Sequence, residues 1–212
     1  MSKADWYFDF ISPFAYLQRE ILHRLPDDLD IACKPVVFAG LLNHWEHKGP
    51  AEIPGKRVFI FRQSKWWADR NKIPFTMPPA HPFNPIKPLR LAIALGCEAS
   101  AVETIFRFIW AEGLDVGADW PSLAERFGMS AAEADERVQA PEVKNELIAN
   151  GETAIAAGVF GVPTFVIDNE IIWGVDSTEM MADYIDNPAL FATEEMQKII
   201  TTKASAQRKV PG

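Results

Sequence analysis

Ser12 lies at the junction between an aromatic, strand-like run and a helix. The run is DWYFDFI, residues 5–11, and Pro13 stands at the first helical position, where its missing N–H costs no hydrogen bond. A helix N-terminus presents unpaired backbone N–H groups and the positive end of the helix dipole, and Ser12 adds a hydroxyl. An anionic group could therefore bind beside Ser12. The alternative is that Ser12 acts only as the helix N-cap.

Two adjacent polar residues precede the last clearly predicted helix of the chain. Asp176 and Ser177 come directly before the helical segment 178–186. The N–H groups of that helix could hold a carboxylate, and Asp176 could accept a hydrogen bond from an ammonium group. An ordinary pair of capping residues is the alternative.

Donor and aromatic side chains in the middle of the chain are further candidates. Asn43, His47 and Lys48 lie on one short segment and could bind a carboxylate, or they could form a solvated surface. Trp66, Phe83 and Asn84 could wall a flat aromatic pocket, although core packing explains them equally well.

The elements that must position these residues come in two groups. A strand at 5–11, a helix from Ser12 to Leu25 and a strand at 29–38 form a βαβ unit with parallel strands. Near the other end, strands 162–168 and 170–173 flank Asn169 as a hairpin, and helix 178–186 follows. One weak helix is expected after Pro188.

The chain between these groups is predicted to be helical. Helices are expected at 54–72, 88–97, 102–110, 122–127, 131–138 and 142–157, and the six prolines between Ile73 and Pro88 form a loop. The sequence thus predicts an α/β protein: a thioredoxin-like fold with a large all-helical insertion between its βαβ and ββα halves. We assign residues 1–45 and 155–212 to the thioredoxin-like domain and residues 46–154 to the inserted helical domain.

Composition excludes several classes of function. The 212 residues carry a net charge of −8, which argues against nucleic-acid binding or a membrane-surface role. No run reaches membrane-spanning length and no signal peptide is evident, so we expect a cytoplasmic protein. The only cysteines, Cys33 and Cys97, form no Cys-x-x-Cys pair, and the four histidines lack metal-ligand spacing. We therefore expect no metal site and no redox dithiol.

Two motifs together resemble a known family. They are FDFISPFAY (residues 8–16) and GVPTF (residues 161–165), supported by the segments 40–43, 48–56 and 173–176. The chain resembles the 2-hydroxychromene-2-carboxylate isomerase family, and kappa-class glutathione transferases are its siblings within the disulfide-oxidoreductase superfamily. Many members have Lys at position 43, Asn at position 47 and Arg at position 177, where this chain has Asn43, His47 and Ser177.

The resemblance implies a glutathione site. Ser12 stands where redox relatives carry a cysteine, and Ala15 stands where the second cysteine would be. The Ser12 hydroxyl would stabilise the glutathione thiolate, which makes Ser12 the catalytic residue. The peptide bond between Val162 and Pro163 would be cis and would dock the peptide. Asp176 and Ser177 would hold the γ-glutamyl group, and His47 would also contact glutathione.

The resemblance also implies an activity. It is isomerisation of 2-hydroxychromene-2-carboxylate or a similar aromatic acid by thiolate addition, bond rotation and elimination, with glutathione as cofactor. Asn43, Lys48, Trp66, Phe83 and Asn84 would bind the aromatic acid, and the kappa-class relatives suggest a homodimer. Two alternatives stay open: a glutathione transferase that conjugates electrophiles, and a non-catalytic glutathione- or peptide-binding protein.

Overall fold

A computed structural model describes residues 2–206 of the chain. Its four-stranded sheet has the order β2-β1-β3-β4, with β1 at Lys3–Phe8, β2 at Asp30–Pro35, β3 at Thr164–Ile167 and β4 at Glu170–Trp173. β1 pairs with β2 in parallel and with β3 antiparallel, and β3 and β4 form an antiparallel hairpin. This is the expected mixed α/β fold of the thioredoxin type.

Ten α-helices surround the sheet in the described residues. They are α1 (Pro13–Glu20), α2 (Phe38–His44), α3 (Pro54–Arg70), α4 (Ile86–Ala94), α5 (Ala99–Phe106), α6 (Trp120–Glu125), α7 (Ala131–Gln139), α8 (Pro141–Ala156), α9 (Thr178–Asp186) and α10 (Glu194–Thr201). Helices α2 to α8 lie between β2 and β3, so the helical insertion is confirmed. The exact domain boundaries at residues 45 and 155 stay a prediction.

Three predicted elements near the site differ from the structure in their bounds. The first strand was expected at residues 5–11, but β1 spans Lys3–Phe8. The first helix was expected to continue to Leu25, but α1 ends at Glu20 and a 3₁₀ turn follows at Leu22–Arg24. Strand β2 was expected to reach Phe38, but it ends at Pro35, and Phe38 opens the unpredicted helix α2. Proline has no N–H to continue the strand ladder, and the side chain of Asp9, directly after β1, accepts a hydrogen bond from the N–H of Phe38.

The β3–β4 hairpin turns without glycine. Asp168 and Asn169 both adopt the left-handed backbone conformation, with φ angles of 50° and 68°. Two-residue hairpin turns of type I′ need this conformation at both positions, and Asp and Asn tolerate it better than most residues. The predicted hairpin is therefore confirmed.

The core joins the sheet to the helical insertion. The rings of Trp6 and Phe8 on β1 and of Phe10 directly after it pack against one another and against Phe106 of α5. After Phe106 the helix widens into a π turn at Arg107–Ala111. Such π turns inside helices are frequent at functional sites. Here the Trp110 Nε1–H donates a 2.8 Å hydrogen bond to the carbonyl of Phe10, two residues before Ser12.

Candidate active site

Ser12 caps helix α1 at the floor of a large cleft. Its Oγ accepts a 3.2 Å hydrogen bond from the Ala15 N–H, and its side chain is 8% exposed. No described residue accepts a hydrogen bond from the Ser12 hydroxyl, so its proton is free for a ligand. The predicted capping role is confirmed, and it is compatible with anion binding because capping uses the oxygen and not the proton.

The cleft has a volume of about 790 Å³ and is bordered by both the sheet and the insertion. That volume lies within the range of sites that hold a drug-sized ligand. Its lining is mainly apolar, with Phe14, Phe38, Leu42, Ile60, Phe83, Ile86, Phe160, Val162 and Trp173 among the members. Titratable groups border it on the segment between α2 and α3 and in the first turn of α3, where His47, Lys48, Glu52 and Lys56 contribute.

Six of the predicted site residues line this cleft together: Ser12, His47, Lys48, Phe83, Asn84 and Val162. The Val162–Pro163 peptide bond is cis, as predicted. Among residues 2–206, neither the N–H nor the carbonyl of Val162 has a hydrogen-bond partner. Both polar groups therefore remain for an extended peptide. Pro163 itself is buried behind Val162, and its carbonyl accepts from the Gly174 N–H at 2.9 Å.

The other predicted residues do not line the cleft. Asn43 is an exposed residue of α2, and Trp66 of α3 is 57% exposed with the Arg70 guanidinium 5.7 Å from its ring centre. Asp176 and Ser177 form the turn before α9, where the Ser177 hydroxyl donates to the Trp173 carbonyl at 2.8 Å. Their roles as ligand contacts stay proposals.

Asp9 is a cleft residue that the sequence reasoning did not select. Its side chain is fully buried, and its two carboxylate oxygens accept from the Ile11 N–H at 3.0 Å and the Phe38 N–H at 2.8 Å. Burial raises the pKa of Asp9 to about 7, and the two backbone hydrogen bonds oppose that rise. The available signal was a carboxylate between two phenylalanines in an otherwise apolar run, because such a residue is rarely buried without a role.

Sequence reasoning also missed His81, which binds the segment between β1 and α1 at Ile11. Its Nε2 lies 2.9 Å from the Ile11 carbonyl, which can only accept, so Nε2 carries the proton. The ring packs edge-on against Phe61 and Phe83, and burial lowers the pKa of His81. A neutral imidazole therefore ties the proline-rich loop to the residue before Ser12.

Gln18 connects α1 with the turn that carries Asp176 and Ser177. Its buried amide accepts from the Trp6 Nε1–H at 2.7 Å and donates to the Gly174 carbonyl and the Thr178 hydroxyl, at 3.0 and 3.1 Å. The buried Trp6 indole N–H has no other acceptor, whereas the Gly174 carbonyl also accepts from the Ser177 N–H and the Thr178 hydroxyl also donates to the Val175 carbonyl. The 174–177 turn is consequently fixed relative to the helix that Ser12 begins.

The N-terminus of α1 and Val162, the residue before the cis-proline, share one cleft on this sheet topology, and the combination defines a protein of the thioredoxin-like class. The family of DSBA-like thioredoxin domains matches residues 3–186, and the chain belongs to that family. Among the described residues, no group of three His, Cys, Asp or Glu side chains could hold a metal ion, and no helix is long and apolar enough to cross a membrane.

Individual relatives agree with the expected resemblance. A 2-hydroxychromene-2-carboxylate isomerase of Sphingobium xenophagum is 28% identical over 196 residues, covering 87% of this chain and 99% of its own. Human glutathione S-transferase kappa 1 is 25% identical over 200 residues, covering 84% and 88%. Among solved structures, a 2-hydroxychromene-2-carboxylate isomerase superposes with a TM-score of 0.78 at 22% identity, covering 95% and 100%. The last comparison supports the fold.

Proposed function

We propose that this protein is a glutathione-dependent isomerase that acts on 2-hydroxychromene-2-carboxylate or a similar aromatic acid. The observation that carries the proposal is the Ser12 hydroxyl, whose proton has no acceptor among residues 2–206 and which lies at the N-terminus of α1 in a cleft of about 790 Å³. The isomerase relatives, at 28% identity, supply the reaction class.

The residues present fit a bound glutathione. The unpaired N–H and carbonyl of Val162 can pair with an extended peptide, and the Ser12 hydroxyl can donate to its sulfur. His47 can offer a donor to the glycine carboxylate, and Asp176 with Ser177 can receive the γ-glutamyl end. Bound glutathione would supply a thiolate that adds to the substrate double bond and leaves after the bond has rotated.

Ser12 supplies stabilisation of the right size for this chemistry. A free thiol has a pKa of roughly 8.5, and lowering it to about 6.5 needs about 2.7 kcal/mol. One hydroxyl hydrogen bond to a charged sulfur contributes about 1.5–3 kcal/mol, and a helix N-terminus adds about 0.3–1 kcal/mol. The two together reach the required value.

The aromatic acid would occupy the apolar part of the cleft. Phe83 and Asn84 border that part, and Lys48 lies where it can attract a carboxylate. Asn43 and Trp66, which the sequence also suggested, would need to reach the substrate from outside the cleft lining. A homodimer and a cytoplasmic location, both implied earlier, stay predictions.

Two measurements test the proposal. Calorimetry at millimolar glutathione should show one site per chain, and absence of heat would contradict the proposal. Turnover of 2-hydroxychromene-2-carboxylate should then be followed spectroscopically while free thiol is titrated. Turnover without thiol loss supports the isomerase, and thiol loss supports a conjugating transferase, which the 25% identical kappa relative makes the second candidate. Binding without either result indicates a glutathione-binding protein.

Lys48→Gln tests the substrate side separately. This change should raise KM for the acid about tenfold and leave glutathione affinity unchanged, because it removes one charge partner of a carboxylate. Lys65→Gln is the matched control, since Lys65 lies on α3 in an ion pair with Asp69 and does not line the cleft.

A further inference from the structure

The short segment between β1 and α1 is held from several sides, and Asp9 makes two of the contacts. Its backbone carbonyl accepts from the Ser12 N–H at 3.0 Å, and its Oδ1 accepts from the Ile11 N–H at 3.0 Å. The carbonyl of Ile11 is bound by His81 and that of Phe10 by Trp110. The position of Ser12 is therefore set by this network and not by the helix cap alone.

The second oxygen of Asp9 links this segment to another helix. Oδ2 accepts at 2.8 Å from the N–H of Phe38, the first residue of α2. No side chain in residues 2–206 forms a hydrogen bond or an ion pair with the Asp9 carboxylate, whose two partners are both backbone N–H groups. The titratable and charged groups that border the same cleft are the neutral His81 on the proline-rich loop and His47, Lys48, Glu52 and Lys56 before and in α3.

We propose that Asp9 is a positioning residue for Ser12: its carboxylate ties the segment before Ser12 to the N-terminus of α2 and so aims the Ser12 hydroxyl at the bound sulfur. This inference rests on the proposed function. Two backbone N–H groups satisfy both oxygens at once, which no uncharged side chain of the same shape can do. An asparagine has one acceptor oxygen, and its NH₂ would face an N–H donor.

Asp9 could instead act on the sulfur directly through its negative charge, and this role can be distinguished from the positioning of Ser12. A carboxylate near the sulfur disfavours a second negative charge, so removing it would lower the pKa of bound glutathione. If Asp9 instead aims Ser12, removing it misplaces the hydroxyl, and the pKa of bound glutathione rises toward its free value. The two roles predict shifts of opposite sign for the same variant.

The test is a double-mutant cycle of Asp9→Asn and Ser12→Ala. Asp9→Asn should raise the pKa of bound glutathione, read from thiolate absorbance, and lower kcat/KM about tenfold. In the Ser12→Ala background the same change should cost less than about twofold, because residues that act through one another are not additive. If the double variant loses kcat/KM by the product of the two single losses, or if Asp9→Asn lowers the pKa of bound glutathione, the proposal is overturned. Asp5→Asn on β1 is the control, with no expected effect on either quantity.

A readout without glutathione keeps this inference distinct from the proposed function. Amide hydrogen exchange at Ile11 or Phe38 should be about tenfold faster in Asp9→Asn than in the wild type, while exchange in α8 stays unchanged. If wild-type protein binds no glutathione, the proposed function fails, whereas faster exchange in Asp9→Asn would still show that Asp9 fixes the segment before Ser12. If Asp9→Asn does not fold, spectra of selectively labelled wild-type protein provide the test. The Asp9 carboxylate must show hydrogen bonds from the Ile11 and Phe38 amides, and the absence of these bonds would overturn the positioning role of Asp9.

Discussion

The side chain of Gln18 donates a 3.0 Å hydrogen bond to the backbone carbonyl of Gly174, 156 residues further along the chain. This contact joins the helix that Ser12 caps to the turn that leads into α9. The hydrogen bond therefore connects the two ends of the proposed glutathione site, the sulfur end at Ser12 and the γ-glutamyl end at the 174–177 turn.

Gln18→Leu should destabilise the protein and weaken glutathione binding. The leucine keeps the volume but leaves the buried Trp6 Nε1–H without an acceptor, while the Gly174 carbonyl keeps only its bond from the Ser177 N–H. The free energy of unfolding should fall by about 1–3 kcal/mol. Denaturant unfolding and calorimetry measure the two effects. Gln139→Leu, on the exposed face of α7, should change stability by no more than about 0.5 kcal/mol. Equal stability of the two variants would contradict the role of Gln18.

Ser12→Ala should lower turnover at pH 7 about 10- to 100-fold, because one hydrogen bond to a charged sulfur is lost. The loss should shrink as the pH rises past the pKa of free glutathione, where the thiolate forms without help. The pH–rate profile of the variant measures this recovery.

Ser130→Ala is the matched control for Ser12→Ala. Ser130 caps α7 through a bond to the Glu133 N–H at 3.2 Å, the same length as the Ser12 cap, and it does not line the cleft. Both variants should lose about 0.5–2 kcal/mol of stability, and only Ser12→Ala should lose activity. Unchanged turnover at pH 7 in folded Ser12→Ala would rule out a catalytic Ser12.

Asp9 should make the free energy of unfolding fall as the pH rises. Burial raises the pKa of Asp9 from 3.8 to about 7, so between these values the folded state keeps a proton that the unfolded chain releases. The contribution of Asp9 to stability should therefore decrease by about 2–3 kcal/mol between pH 5 and pH 8. The lowered pKa of His81 acts in the opposite direction, so the measurement is the difference between wild type and Asp9→Asn at each pH. A difference that does not vary with pH would show that Asp9 titrates normally.

Gly161→Ala should disturb the edge of the cleft. A Cβ at position 161 would lie 2.7 Å from Nε1 of Trp173, whose ring contacts Phe160 with centroids 5.2 Å apart. Trp173 must then move, at a cost of about 1 kcal/mol, and glutathione affinity should fall. A change in tryptophan fluorescence that is absent in a Trp173→Phe background identifies the movement. Gly151→Ala on α8, where a Cβ meets nothing within 4 Å, should stabilise slightly and leave binding intact.

Local chemistry in the sequence was enough to predict most of the elements and their order. Apolar periodicity and turn residues located β1, α1, the β3–β4 hairpin and α9, because these elements depend on neighbours within a few residues. Ser12 was found for the same reason: its capping position, Pro13 and the preceding aromatic strand are all adjacent in the chain. Helix α2 escaped prediction because its first N–H is satisfied by Asp9, 29 residues earlier.

Only the tertiary structure decided which side chains share the cleft. His47, Lys48, Phe83 and Val162 come together beside Ser12 because the insertion folds back on the sheet, whereas Asn43 and Trp66 project elsewhere. The roles of Asp9 and His81 were likewise invisible in the sequence, since both act on Ile11 through hydrogen bonds whose partners depend on the folded backbone. Residue type limits which bonds a side chain can form, but the distance and burial that make those bonds strong arise when distant segments pack together.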